Sequence, residues 1–209
     1  LFSPYKVKIV FSGDIGIEEP EETGRTFEEN SVIKARSGLS SGFNVLADDS
    51  GLCVKALNDE PGIYSARWAK KNGGWKGAME KIYNNLLDIN AKDFSAKYYC
   101  SLTLAWKNGR INSYSGKVEG KISWPIRGKK GFGYDPIFVP KGYTITFGEM
   151  NKKNINDEQE LKINTRIYEG MFSKSKINEL GYFQRNIEIN EIDRDKVNTV
   201  HNCPLLPGI

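Results

Sequence analysis

The clearest hydrophobic pattern lies in the middle of the chain. Tyr98, Cys100, Leu102, Leu104 and Trp106 alternate with Lys97, Tyr99, Ser101, Thr103 and Lys107, the period of a half-buried strand. Asn108-Gly109 follows and predicts a hairpin with a type I′ turn. The return runs from residue 110 toward 123, with Gly116 and Gly120 as expected bulges. Upstream, residues 7–11 read as a short strand, and 44–47 as a buried strand running into Asp48-Asp49-Ser50-Gly51. Residues 52–57 read as extended or briefly helical, and 136–139 as another short strand.

Two helices interleave with these strands. Thr26-Phe27-Glu28-Glu29 matches a capping box, with Thr26 as N-cap and Glu29 three residues on. The helix it opens should carry Val32, Ala35 and Leu39 on one face and stop near Gly42. A second helix over residues 74–88 should turn Trp75, Met79, Ile82 and Leu86 inward. Helices mixed with an antiparallel hairpin predict an α/β fold with a mixed sheet, not a doubly wound parallel one. After about residue 151 the apolar spacing weakens. Ile163, Ile167, Met171, Ile177 and Leu180 could line one or two helices, and 184–209 carry no readable pattern. The expected division is a domain over 1–150 and a divergent, partly helical segment over 151–209.

Composition narrows the chemistry. The 209 residues, 39% hydrophobic and 27% charged, describe an ordinary soluble globular chain. A net charge of +4 permits an anionic ligand without marking a nucleic-acid binder. No apolar run approaches the roughly 20 residues of a membrane span, and no signal peptide opens the sequence. Three scattered cysteines argue against a disulfide scaffold or thiolate metal site and fit a reducing, cytoplasmic setting. The single His, His201, makes a Ser-His-Asp triad or a His-rich zinc site untenable. Carboxylates must then serve as base and as metal ligands, and an all-oxygen site favours Mg²⁺ or Mn²⁺.

Two clusters could carry that chemistry. Glu18, Glu19, Glu21 and Glu22 share one loop, and Asp48-Asp49 sit at an expected strand end, where ligand sites form in α/β sheets. Arg127-Gly128-Lys129-Lys130-Gly131-Phe132-Gly133-Tyr134-Asp135 combines an anion cradle with aromatic faces for a purine. It is neither a Walker A loop nor a complete dinucleotide fingerprint. Each cluster alone also reads as a solvated charged loop. Trp68 and Trp75 read as core aromatics, Cys53 as a small buried hydrophobe and Phe27 as packing beneath its helix. Together the clusters are the parts of a nucleotide phosphohydrolase without a P-loop.

Thr26-Phe27-Glu28-Glu29-Asn30, Ala47-Asp48-Asp49-Ser50-Gly51-Leu52, Pro61-Gly62-Ile63-Tyr64-Ser65-Ala66-Arg67 and Gly131-Phe132-Gly133-Tyr134-Asp135-Pro136-Ile137-Phe138 resemble, in order, the motifs of the inosine/xanthosine triphosphate pyrophosphatase family. The resemblance covers roughly residues 2–150. It implies a two-lobed fold with a long mixed sheet, the nucleotide bound between the lobes. It also implies Mg²⁺-dependent hydrolysis of non-standard purine nucleoside triphosphates (ITP, dITP, XTP) to monophosphate and pyrophosphate by a cytosolic homodimer. By motif, Asp49 resembles the base and a metal ligand, and Glu21 the second metal carboxylate. Ser50 resembles a substrate contact. Phe132, Gly133, Tyr134 and Asp135 resemble the nucleotide-binding stretch. Arg166 and Lys162 stand nearest the family's base-contacting residues, with Thr165 where a His is expected. The chain is also expected to begin after the family's opening strand and its phosphate-gripping Asn and Lys. These departures leave a degenerate nucleotide-binding protein without turnover as the alternative.

Overall fold

The computed structural model describes residues 9–150 and the backbone of 197–200. In chain order the elements are β1 (Ile9–Phe11), α1 (Phe27–Gly38), β2 (Asn44–Val54), β3 (Glu60–Pro61), α2 (Ser65–Lys71), α3 (Trp75–Asp88), β4 (Ser95–Ala105), β5 (Ile111–Ile122), β6 (Phe138–Pro140) and β7 (Val197–Val200). The strands hydrogen-bond in the order β1-β7-β2-β4-β5-β6, with β3 beside β2. β7 pairs parallel with both β1 and β2, whereas β3 and β6 pair antiparallel with β2 and β5. The sheet is therefore mixed, as the interleaved pattern predicts. β7 comes from the stretch without a readable pattern; the helices expected over 163–180 lie outside the described residues. Among the described residues no helix is long and apolar enough to cross a membrane.

The chain forms two compact units. Among the described residues, one holds 9–49, 101–116 and 197–200; the other holds 50–100 and 117–150. In the first, Ala35, Val45, Ala47 and Ala105 form a closed core flanked by Leu39 and Ile111. Small side chains let α1 approach its sheet closely. A Cβ on Gly38 would stand 2.8 Å from Val45 Cγ1. In the second unit, Ile82 and Leu86 of α3 are fully buried with Leu52 and Val54. Tyr98, Phe138 and Phe147 add an aromatic cluster, with Tyr98 and Phe138 edge to face at 4.7 Å.

Several local expectations change. The hairpin forms, but its turn is not type I′, which needs left-handed backbone at both central residues. Only Gly109 is left-handed, at φ 87°, following a turn closed by its N–H on the Trp106 carbonyl. This longer loop lets Asn108 keep ordinary backbone while its Oδ1 accepts the Arg110 N–H at 3.0 Å. Gly120 keeps regular register opposite Pro140. It makes room for a ring, since a Cβ there would stand 2.6 Å from Phe138 Cζ. Most consequentially, β2 does not stop before the aspartates. It runs eleven residues, and Asp48 and Asp49 lie buried within it. Asp49 is tolerated there because a helix face brings its carboxylate polar partners.

Candidate active site

That helix is α1. Its first turn is capped as expected: Thr26 Oγ1 accepts the Glu29 N–H at 3.1 Å, and Glu29 reaches back to the Arg25 N–H at 2.6 Å. The buried face is not the apolar stripe of the expectation. Its buried residues are Asn30, Ser31, Lys34, Ala35 and Gly38. Ser31 enters a buried hydroxyl chain with Ser101 and Thr103, at 3.2 and 2.7 Å. Asn30 and Lys34, one turn apart, both address Asp49.

Asp49 is 5% exposed. Its Oδ2 accepts from Asn30 Nδ2 at 3.1 Å and its Oδ1 from Lys34 Nζ at 3.1 Å. The same ammonium meets Glu22 Oε1 at 2.7 Å. Burial raises the Asp49 carboxyl above the ordinary carboxylate range, and Glu22 adds to this. Lys34 and the Asn30 amide pull the other way without cancelling it. Burial alone would lower the Lys34 ammonium, but Asp49 and Glu22 outweigh it and keep Lys34 charged. The result is a desolvated carboxylate more basic than usual, oriented by two donors. That is what a base acting on water requires.

Glu21 is exposed, and it is Glu22 that shares Lys34 with Asp49. The donor chemistry fits a hard divalent cation, since carboxylate oxygens converge on one cationic group without nitrogen or sulfur donors. Among the described residues no group of three or more His, Cys, Asp and Glu side chains gathers for a metal. Two carboxylates would leave the remaining positions of such an ion to water and phosphate oxygens, the usual arrangement for Mg²⁺.

In the second unit, residues 128–135 form the glycine loop. Gly131 and Gly133 are left-handed, at φ 76° and 62°. The turn they make folds the loop back on Asp135, whose Oδ2 accepts the Phe132 N–H at 2.7 Å. Tyr98 donates to Asp135 Oδ1 at 3.0 Å. Burial pushes the Asp135 carboxyl up to about 6, although both donors oppose it. Tyr134 is buried and donates to the Ser65 carbonyl at 3.0 Å. Phe132 is 47% exposed. Trp75 supports both rings edge-on, at 4.8 Å from Phe132 and 5.3 Å from Tyr134. The loop thus presents an exposed aromatic ring on a fixed base. The Phe132 and Asp135 N–H groups are engaged within it, the latter on the Phe132 carbonyl at 3.2 Å. The Tyr134 N–H is turned to the Tyr98 hydroxyl, which among the described residues leaves the Gly133 N–H to a ligand.

Other expected residues are placed as follows. Ser50 is half-buried on β2 directly after Asp49. Arg67 is exposed, its guanidinium 5.0 Å from the Tyr64 ring centre. Cys53 is buried and its thiol pushed up to about 11 by burial, the behaviour of a small hydrophobe. Lys162, Thr165, Arg166 and His201 lie outside the described residues. Glu22, Asn30, Lys34 and Trp75 were not foreseen in these roles. The one available signal was the Asn30–Lys34 spacing of four, which puts two polar residues on one helix face.

The chain is 44% identical over 158 residues to the dITP/XTP pyrophosphatase of Agrobacterium fabrum, covering 72% of this chain and 74% of the relative. It is 46% identical over 146 residues to the dITP/XTP pyrophosphatase of Caulobacter vibrioides, covering 69% and 75%. The solved structure of a HAM1 protein from Coxiella burnetii superposes with a TM-score of 0.65 at 36% identity, covering 74% of this chain and 84% of that one. The Staphylococcus aureus Ham1 protein gives 0.64 at 34% identity, with 84% of each covered. Residues 2–160 match the pattern of the Ham1 family, and the chain belongs to that family.

Proposed function

We propose that this chain hydrolyses non-standard purine nucleoside triphosphates (dITP, ITP and XTP) to the monophosphate and pyrophosphate, clearing them from the nucleotide pool. The observation that carries the reading is Asp49: a buried carboxylate made more basic by its surroundings and oriented by Lys34 and Asn30. The names of the relatives from Agrobacterium and Caulobacter support the substrate class.

Asp49 takes a proton from the water that attacks the α-phosphoryl group. Lys34 keeps Asp49 and Glu22 charge-compensated before substrate arrives. Mg²⁺ would be held by Asp49 and Glu22, and when bound it supplies charge neutralisation on the phosphates. Glu22 takes this role in place of Glu21 because Glu22 is the carboxylate that shares a cation with Asp49. Ser50 contacts substrate. Phe132 offers the purine a face, and the Gly133 N–H offers it a donor. Arg166 contributes to base selection. The working protein is a cytoplasmic homodimer.

The test is Asp49→Asn. Removing a positioned base costs about 10²- to 10⁴-fold in kcat, read as pyrophosphate released from ITP. Near-normal release by this variant would remove Asp49 from the mechanism. Binding of ITP by the parent chain without any release would make the chain a nucleotide binder.

A further inference from the structure

We propose that Asn30 is a positioning residue that couples the acidic loop to Asp49, so that the loop cannot leave without freeing the carboxylate. Asn30 is 0% exposed, and both ends of its amide are used. Oδ1 accepts the Gly24 N–H at 2.8 Å, and Nδ2 donates to Asp49 Oδ2 at 3.1 Å. The orientation is dictated by the partners. A carboxylate oxygen only accepts and a backbone N–H only donates, so a flipped amide would lose both bonds.

The coupling has a second arm. Lys34, one helical turn on, joins Asp49 Oδ1 to Glu22 Oε1. Glu22 and Gly24 belong to the same loop, so that loop is tied to Asp49 at two points two residues apart. The contact is close: a Cβ on Gly24 would stand 2.5 Å from Asn30 Oδ1. Lys34 provides charge, and a cation tolerates a range of positions around a carboxylate. Asn30 provides direction, because its planar amide offers one acceptor and one donor on opposite sides. The loop position that brings Glu22 forward and the rotamer that aims Asp49 are therefore set by one side chain.

The test separates the two halves of Asn30. Asn30→Asp retains an acceptor for Gly24 and loses the donor to Asp49. Asn30→Ala loses both. Tryptic cleavage after Arg25, an exposed residue next to Gly24, reports the loop independently of turnover. Cleavage in the full chain should be at least tenfold faster in Asn30→Ala and within twofold of the parent in Asn30→Asp. The kinetic arm rests on the proposed hydrolysis. There kcat should fall at least 30-fold in both variants, with KM within threefold. Ser31→Ala, which breaks the neighbouring hydroxyl chain, controls for simple destabilisation and should do neither. If Asn30→Ala does not fold, Asn30→Ser, too short to reach both partners, replaces it. Unchanged cleavage in the loop-releasing variant overturns the coupling. Parent-like kcat in Asn30→Asp, or an equal loss in Ser31→Ala, overturns the role at Asp49. A parent without turnover would refute the hydrolase reading, while cleavage would still decide the coupling.

Discussion

Two buried carboxylates, Asp49 and Asp135, are handled in opposite ways, and the difference is measurable. Asp49 has a cationic partner, so removing that partner strands it. Lys34→Met should destabilise the fold by about 3–5 kcal/mol, the cost of leaving a buried charge uncompensated, in urea titration. Adding Asp49→Asn to that variant should recover part of the loss. Asp135 has only neutral donors, Tyr98 and the Phe132 N–H. Its folded value of about 6 lies above the ordinary 3.8, so the folded chain holds this proton more tightly than the unfolded chain. Its contribution to stability is therefore complete below about pH 4 and is lost as pH rises through about 6. The loss amounts to about 3 kcal/mol, the free energy of moving a titration from about 4 to about 6 at a desolvated site. Asp135→Asn should remove this dependence: the parent should lose stability relative to the variant between pH 4 and 7 in paired denaturation curves. Neither environment was readable in the sequence, which shows two aspartates in similar Gly-containing stretches. Their side-chain partners come from 15 to 37 residues away.

At the level of elements, α1 joins stability to the site. Its cap was legible because such a cap is local, with all its atoms from the consecutive residues 25–29. Thr26→Ala should cost about 1 kcal/mol, seen as a lower urea midpoint with unchanged slope. Its buried face was less legible. Val32, Ala35 and Leu39 suggest an apolar stripe, but Asn30, Ser31 and Lys34 are buried because the strands facing them supply Asp49, Ser101 and Thr103. The apolar face of α3 followed expectation, with Met79, Ile82 and Leu86 buried. There the periodicity and the surroundings agree. In α1 they conflict, and the polar partners decide. The same conflict explains β2: its two aspartates look like a strand end until α1 supplies Asp49 with donors.

For the whole molecule, the proposal requires discrimination between purines. Hypoxanthine and xanthine carry an acceptor at C6 where adenine carries a donor. Fixed donors at the site would leave adenine unpaired. ITP should therefore exceed ATP in kcat/KM. Thr165 in place of the expected His should make the margin smaller than in relatives that keep the His. Equal values would mean that Arg166 and the Gly133 N–H do not read the base. Chelation by EDTA should abolish turnover, and Mg²⁺ should restore it, because two carboxylates and one Lys do not neutralise a triphosphate. Sedimentation of the full chain should give twice the 23.6 kDa of one protomer.

Local chemistry was decided by the sequence alone: the cap on α1, the hairpin between β4 and β5, the left-handed glycines beside Phe132 and the motifs that carry the family. Each depends on residues within a few positions of one another, or on patterns too long to arise by chance. Single-His composition likewise left carboxylates as the available bases. The tertiary structure decided which carboxylates Lys34 joins and how burial shifts them. Lys34 joins Glu22 to Asp49 while Glu21 is exposed, and burial raises the Asp49 carboxyl against the pull of its donors. Trp75 becomes a support for Phe132 and Tyr134 although 57 residues separate it from the nearer of them in the chain. Desolvation and side-chain direction depend on what packs from a distance. Those two quantities turn a run of acidic residues into a candidate active site.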